Sequence, residues 1–150
     1  MSVRKSAYEL IGPFDIRLGA GSGFAPAGEE EDYCYRCLSA GYAVVETPSI
    51  VVQHFGARAT STGDARTLLE GYAFSGGALA MKLVRTGDTV ALALLGWRLF
   101  QYCCWVRWNR VLMMKRASGL KRLAMFLKGL KASFQLSVDR QGCLYQRDAG

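Results

Sequence analysis

A chain of 150 residues with 51% hydrophobic and 11% aromatic content is long enough to bury a core and too apolar to stay disordered. Its 19 Lys and Arg against 12 Asp and Glu give a net charge of +7, unevenly spread: residues 1–80 hold six basic and nine acidic side chains, residues 81–150 thirteen and three. The basic half is rich in Leu, Met and Trp, which argues against a nucleic-acid partner and for an anionic membrane surface, since nucleic-acid faces seldom place long apolar runs between their cations.

In chain order, "MSVRKSAYELI" predicts an extended entry and then a turn of helix, with Ser6 as N-cap and Glu9 as its capping-box partner. Gly12-Pro13 ends that helix. Residues 17–28, "RLGAGSGFAPAG", hold four glycines and a proline and read as a pliable loop. The run Glu29, Glu30, Glu31, Asp32 then opens a helix of about eleven residues ending at Gly41, with its acids where the helix dipole and the unpaired N–H groups favour negative charge. On that helix Glu30, Cys34, Cys37 and Leu38 share one face, which places Glu30 along the buried side; Asp32 and Arg36 form an i, i+4 pair on another. "YAVVETP" and "SIVVQHF" (42–48 and 49–55) predict two short strands or extended segments.

A helical pattern runs from Asp64 to Val84, with Gly76-Gly77 as a weak point, and Gly87-Asp88 breaks it. Residues 89–114 are apolar for the length of a membrane span. Arg98, Arg107 and Arg110 cut them, so the longest uncharged run is nine residues and a helix lying in the interface fits better than a span. Residues 119–134 place Leu120, Leu123, Leu127, Leu130 and Phe134 on one stripe with Lys121, Arg122 and Lys128 off it. Such a cationic amphipathic helix serves either a membrane surface or a core with a solvated basic face. The five cysteines are an odd number with no secretory segment before them, which implies a reducing cytosol; Cys34-x-x-Cys37 lacks a second ligand pair and reads as core.

The ordered set "SVRKSAYELIGPFDIRLGAGSGFAPAGEEEDYCYRCLSAGYAVVETPSIVVQHFG" resembles the second half of the catalytic domain of family 2 glycosyltransferases, nucleotide-sugar transferases of the GT-A fold. The likeness lies in the "RKSAYELIGPFD" segment, the Gly-rich loop, the G-E-E-x-D-aromatic-C-x-R helix start, the "AGY" helix end and the V-x-H strand. Residues 66–88 also look like the helix that follows the catalytic domain in bacterial members acting on lipid-linked or cell-surface acceptors. The resemblance implies an α/β fold with an incomplete sheet, followed by a mostly α-helical C-terminal region. The expected units are residues 1–62 as the acceptor-side half of a catalytic domain, 63–138 as a helical, membrane-associated region, and 139–150 as a tail.

By the same resemblance Glu30 is the general base that deprotonates the acceptor hydroxyl, with Glu29 and Asp32 in reserve, and Glu stands where Asp is usual in the family. The alternative is that all four acids simply answer the helix dipole. Gly21, Gly23 and Phe24 of the loop would border the acceptor, and His54, the one histidine, would complete a divalent Mn or Mg site. The family's donor-binding βαβ unit and its D-x-D motif have no counterpart here, so the chain reads as a fragment of an enzyme, by itself inactive, which would act at the inner, cytoplasmic face of the cell membrane on a nucleotide-sugar donor and a glycan or lipid-linked acceptor. A membrane-surface module without catalysis is the other function these residues admit.

Overall fold

The computed structural model describes residues 2–51, 63–111, 117–139 and 142–146. Among these residues the protein is mostly helical: α1 (Lys5–Ile11), α2 (Glu29–Ser39), α3 (Gly63–Arg85), α4 (Thr89–Val111) and α5 (Ala117–Ser133) precede a hairpin of β1 (Val138–Asp139) and β2 (Leu144–Tyr145). The hairpin is antiparallel, with Val138 opposite Tyr145. Residues 42–51, expected with 52–55 as two short strands or extended segments, run without a ladder partner among the described residues, and residues 52–55 lie outside them. Their β-branched composition suits a pleated surface but supplies no neighbour to pair with. The sheet appears instead at 138–145, largely in the stretch read as a tail.

The helix boundaries follow the punctuation of the sequence. α2 starts directly at the acidic run and ends in a Schellman turn, in which Tyr42 N–H donates to the Cys37 carbonyl (2.9 Å) and Gly41 N–H to that of Leu38 (3.0 Å). Gly41 takes φ +82°, a value that costs glycine little. α1 begins two residues earlier than expected, with Arg4 as N-cap and no side-chain cap bond, so Ser6 lies inside the helix.

α3 and α5 form the main helix pair, and small residues set their separation. A Cβ added at Gly77 would fall 2.0 Å from the Phe126 carbonyl oxygen, and one at Gly129 would fall 2.0 Å from that of Phe74. The pair Gly76-Gly77, expected as a weak point, is therefore where the two backbones touch, and α3 runs through it unbroken. This contact also decides which side of α5 faces inward. Gly119, Phe126, Gly129 and Ser133 are buried, whereas Leu120 and Leu127 of the expected apolar stripe are each 47% exposed and Phe134 is 62% exposed. Close approach selected the small residues, and the leucines were left at the edge and outside.

Arg85, at the end of α3, donates to the carbonyls of Ser133 and Leu136 (2.8 Å to the latter) and so ties off the C-terminal end of α5. One core joins the front and rear of the chain: Leu18 and Ala25 from the loop, Ala78, Leu79 and Leu83 from α3, Ala91 from α4, and Leu136 and Tyr145 from the C-terminal segment. The Tyr145 hydroxyl donates to the Ala78 carbonyl and shares a hydrogen bond with Ser133 Oγ, each at 2.8 Å.

Candidate functional site

The glycine-rich loop is braced rather than pliable. Leu18 and Ala25 bridge, Gly19 N–H donates to the Ala25 carbonyl (2.8 Å), and Ala25 N–H donates to that of Arg17 (3.2 Å). Ser22 Oγ accepts from the N–H groups of Phe24 and Ala25 (3.3 and 3.2 Å) and donates to the Ala25 carbonyl (2.9 Å). The glycines make this turn possible: Gly19, Gly21 and Gly23 all have φ between +73° and +98°. Gly21 and Gly23 stand exposed at its crest. Phe24 turns inward and packs edge-on against Phe74 and Tyr145, with centroids 5.8 and 5.5 Å apart.

From this loop the chain enters α2 against α3. Ala27 N–H donates to Ser75 Oγ (3.1 Å), and Gly28 faces Ser75 and Leu79. Glu29 then lies across Gly19, so closely that a Cβ there would sit 2.9 Å from its carboxyl carbon. The acidic helix tip and the glycine loop are thus in direct contact. Glu30 and Glu31 project into solvent, Glu31 meeting Arg98 of α4 at 3.5 Å.

The fourth acid has a different fate. Asp32 is fully buried, its Oδ1 2.6 Å from Lys82 Nζ and its Oδ2 3.0 Å from Arg36 Nε. Lys82 reaches equally to Asp15 Oδ2 at 2.7 Å, and both partners are as buried as the lysine. The remaining valences are filled. Asp15 accepts the N–H groups of Arg17 and Tyr145 (2.9 Å each), and Arg36 donates to the carbonyls of Ile11 and Pro13 (3.2 and 2.9 Å). Two carboxylates and two cations make a neutral, hydrogen-bonded knot, the arrangement in which buried charge is tolerated. Burial pushes the Asp32 carboxyl up from the usual range, and Lys82 and then Arg36 pull it back.

That knot turns α2 away from the face its sequence suggested. The expected buried set was Glu30, Cys34, Cys37 and Leu38; the observed one is Asp32, Tyr33, Arg36 and Cys37, with Glu30 and Leu38 exposed. An internal cation waits for Asp32 and none for Glu30, so Asp32 goes inside. It is held as an anchor and has no free oxygen to offer a substrate. Lys82 and Asp15 were not singled out from the sequence. A signal existed, since Lys82 stands seven residues after Ser75 and three after Leu79 on the buried stripe of α3, where a lysine demands a carboxylate.

His54 lies outside the described residues. Among the described residues no group of three or more His, Cys, Asp and Glu side chains converges to hold a metal ion, and Asp32 is already paired with Lys82 and Arg36. A cavity of about 510 Å³ opens between α1, α2 and residues 42–50, walled by Tyr33, Cys34, Cys37, Tyr42 and Val44 among others; Glu29 and Glu30 do not line it. The expectation that Glu30 lies along the buried side of its helix gives way to an exposed carboxylate at the tip of α2. No family model, no curated protein and no solved structure matches this chain.

Proposed function

We propose that the chain forms the acceptor side of an inverting glycosyltransferase that moves a sugar from a nucleotide-sugar donor to a glycan or lipid-linked acceptor during cell-surface polysaccharide synthesis. In this reading residues 1–62 belong to an incomplete α/β catalytic domain of the GT-A type, and the protein works as a peripheral protein at the inner face of the cell membrane. One observation carries it: the acidic tip of α2 and the braced glycine loop are in contact through Glu29 and Gly19, with the Glu30 side chain and the backbone of Gly21 and Gly23 all exposed.

Bare glycine backbone lets a sugar ring approach, and a carboxylate next to it can take the proton of the attacking hydroxyl. As the acceptor oxygen bonds to the anomeric carbon, the bond from that carbon to the nucleoside diphosphate breaks, and configuration inverts. Glu30 receives the proton, Glu29 packs the loop against the tip, and Asp32 fixes the helix from behind. Amide-resolved NMR titration with methyl glycosides of common hexoses and deoxyhexoses tests the reading. Shifts are expected within residues 19–30; their absence there with every sugar contradicts it. Donor hydrolysis by the isolated chain is expected near background, and turnover that survives Glu30→Gln would remove Glu30 from its role.

A further inference from the structure

α4 has an apolar outer face that the other described residues leave open. Its inner side is Ala91, Leu95, Leu99 and Tyr102, with Ala91 buried, the other three half-buried, and the Tyr102 ring 4.9 Å from that of Phe126 on α5. On the opposite side Val90, Ala93, Trp97, Phe100 and Cys104 recur at spacings of 3, 4, 3 and 4, a single helical stripe, and all are exposed. Val90 is 58% exposed, and Trp97 and Phe100 are each 57% exposed, their rings stacked 5.6 Å apart in solvent. An amphipathic helix ordinarily turns such a stripe inward. Here the stripe is turned outward.

We propose that this stripe is a docking surface for an anionic lipid bilayer, with α4 lying in the plane of the interface. Charge selects this occupant. Residues 89–138 contain nine Lys and Arg and no Asp or Glu, and Lys121, Lys128 and Lys131 on the neighbouring α5 are exposed. A second copy of the chain would bring a second set of cations against the first, whereas anionic headgroups complement them. Nucleic acid answers the charge but offers no apolar phase to Val90 and Ala93. A flat orientation follows from length and charge, because no helix among the described residues is long and apolar enough to cross a membrane. In that orientation Trp97 sits at headgroup depth and the lysines stay in water.

The test is sedimentation with vesicles of phosphatidylcholine, alone or with about one phosphatidylglycerol in three lipids. The chain should pellet with the anionic vesicles, be released by molar salt, and show a blue shift of its tryptophan emission on binding. The double variant Trp97→Ser, Phe100→Ser should weaken binding by about tenfold with an unchanged circular dichroism spectrum, since both side chains are exposed. Replacing Lys121, Lys128 and Lys131 by Gln should reduce the salt dependence, an arm that stands even if the first variant misfolds. Equal recovery in the supernatant with and without anionic vesicles overturns the proposal. So does concentration-dependent dimerisation that the double variant abolishes while lipid binding is absent. This inference rests on the peripheral placement proposed above, and the sugar titration reads residues 19–30 instead, so a failed vesicle test removes the membrane placement and leaves the sugar reading standing.

Discussion

α4 and the α3–α5 pair are built from similar amounts of apolar sequence and end in opposite situations. Where α3 meets α5, glycines bring backbone within contact of backbone, and Phe126 is sealed completely. Where α4 meets the same body, it is held by a narrow inner face, and Trp97 and Phe100 remain outside. Hydrophobicity alone does not determine burial. What places a residue inside is a partner surface of matching shape, or, for Asp32, a matching charge.

The contrast breaks most sharply at the charged knot. Lys82→Met would leave Asp15 and Asp32 facing each other in the interior with Arg36 as the remaining cation, and should cost about 3–5 kcal/mol in urea denaturation. The two sides of α5 give the next effect. Phe126→Ala is expected to cost about 3–5 kcal/mol and Leu127→Ala less than about 1 kcal/mol, although Leu127, not Phe126, lies on the apolar stripe of the sequence. Equal costs would mean that α5 sits the other way round.

A glycine pair sharpens the comparison further. Gly77→Ala should cost about 3 kcal/mol, because the new methyl group meets the Phe126 carbonyl and the helices must part. Gly96→Ala in α4, with nothing within 4 Å of the added carbon, should stabilise by roughly 0.5–1 kcal/mol through helix propensity. The smallest effect lies at the head of α4. Asp88 caps that helix by accepting Val90 N–H (2.8 Å), and a hydrogen bond from the Tyr35 hydroxyl, more than the backbone bond, holds its carboxyl below the usual range. A depressed folded value contributes stability above the unfolded pKa of 3.8 that is lost as pH falls through the folded value. Tyr35→Phe should raise the Asp88 midpoint toward 3.8 in a carboxyl NMR titration and weaken this acid sensitivity.

Much of the helical layout was legible from local chemistry. The acidic run, Gly41 and Gly87 set the ends of α2 and α3 within a residue or two, because caps and dipoles act within one turn. Facing was less legible. Periodicity placed Glu30 inward and grouped the leucines of α5 on one stripe without saying what meets it, because which arc of a helix is buried depends on what approaches it, here Lys82 for α2 and Gly77 for α5. Of the two forms expected at 42–55, strand or extended segment, the described residues 42–51 take the unpaired one for the same reason, since a strand exists by its neighbour. At the candidate site, sequence found the acidic tip and the glycine loop; it missed the division of labour among four adjacent acids. Asp15 and Lys82, 67 positions apart in the chain, decide that division.

That division is the centre of the account, because a residue available for chemistry must be spared structural duty. Urea denaturation of Glu30→Gln beside Asp32→Asn tests it directly. The account predicts a change within about 0.5 kcal/mol for Glu30→Gln and a loss of about 3–5 kcal/mol for Asp32→Asn; comparable losses in both, or the larger one at Glu30, would contradict it.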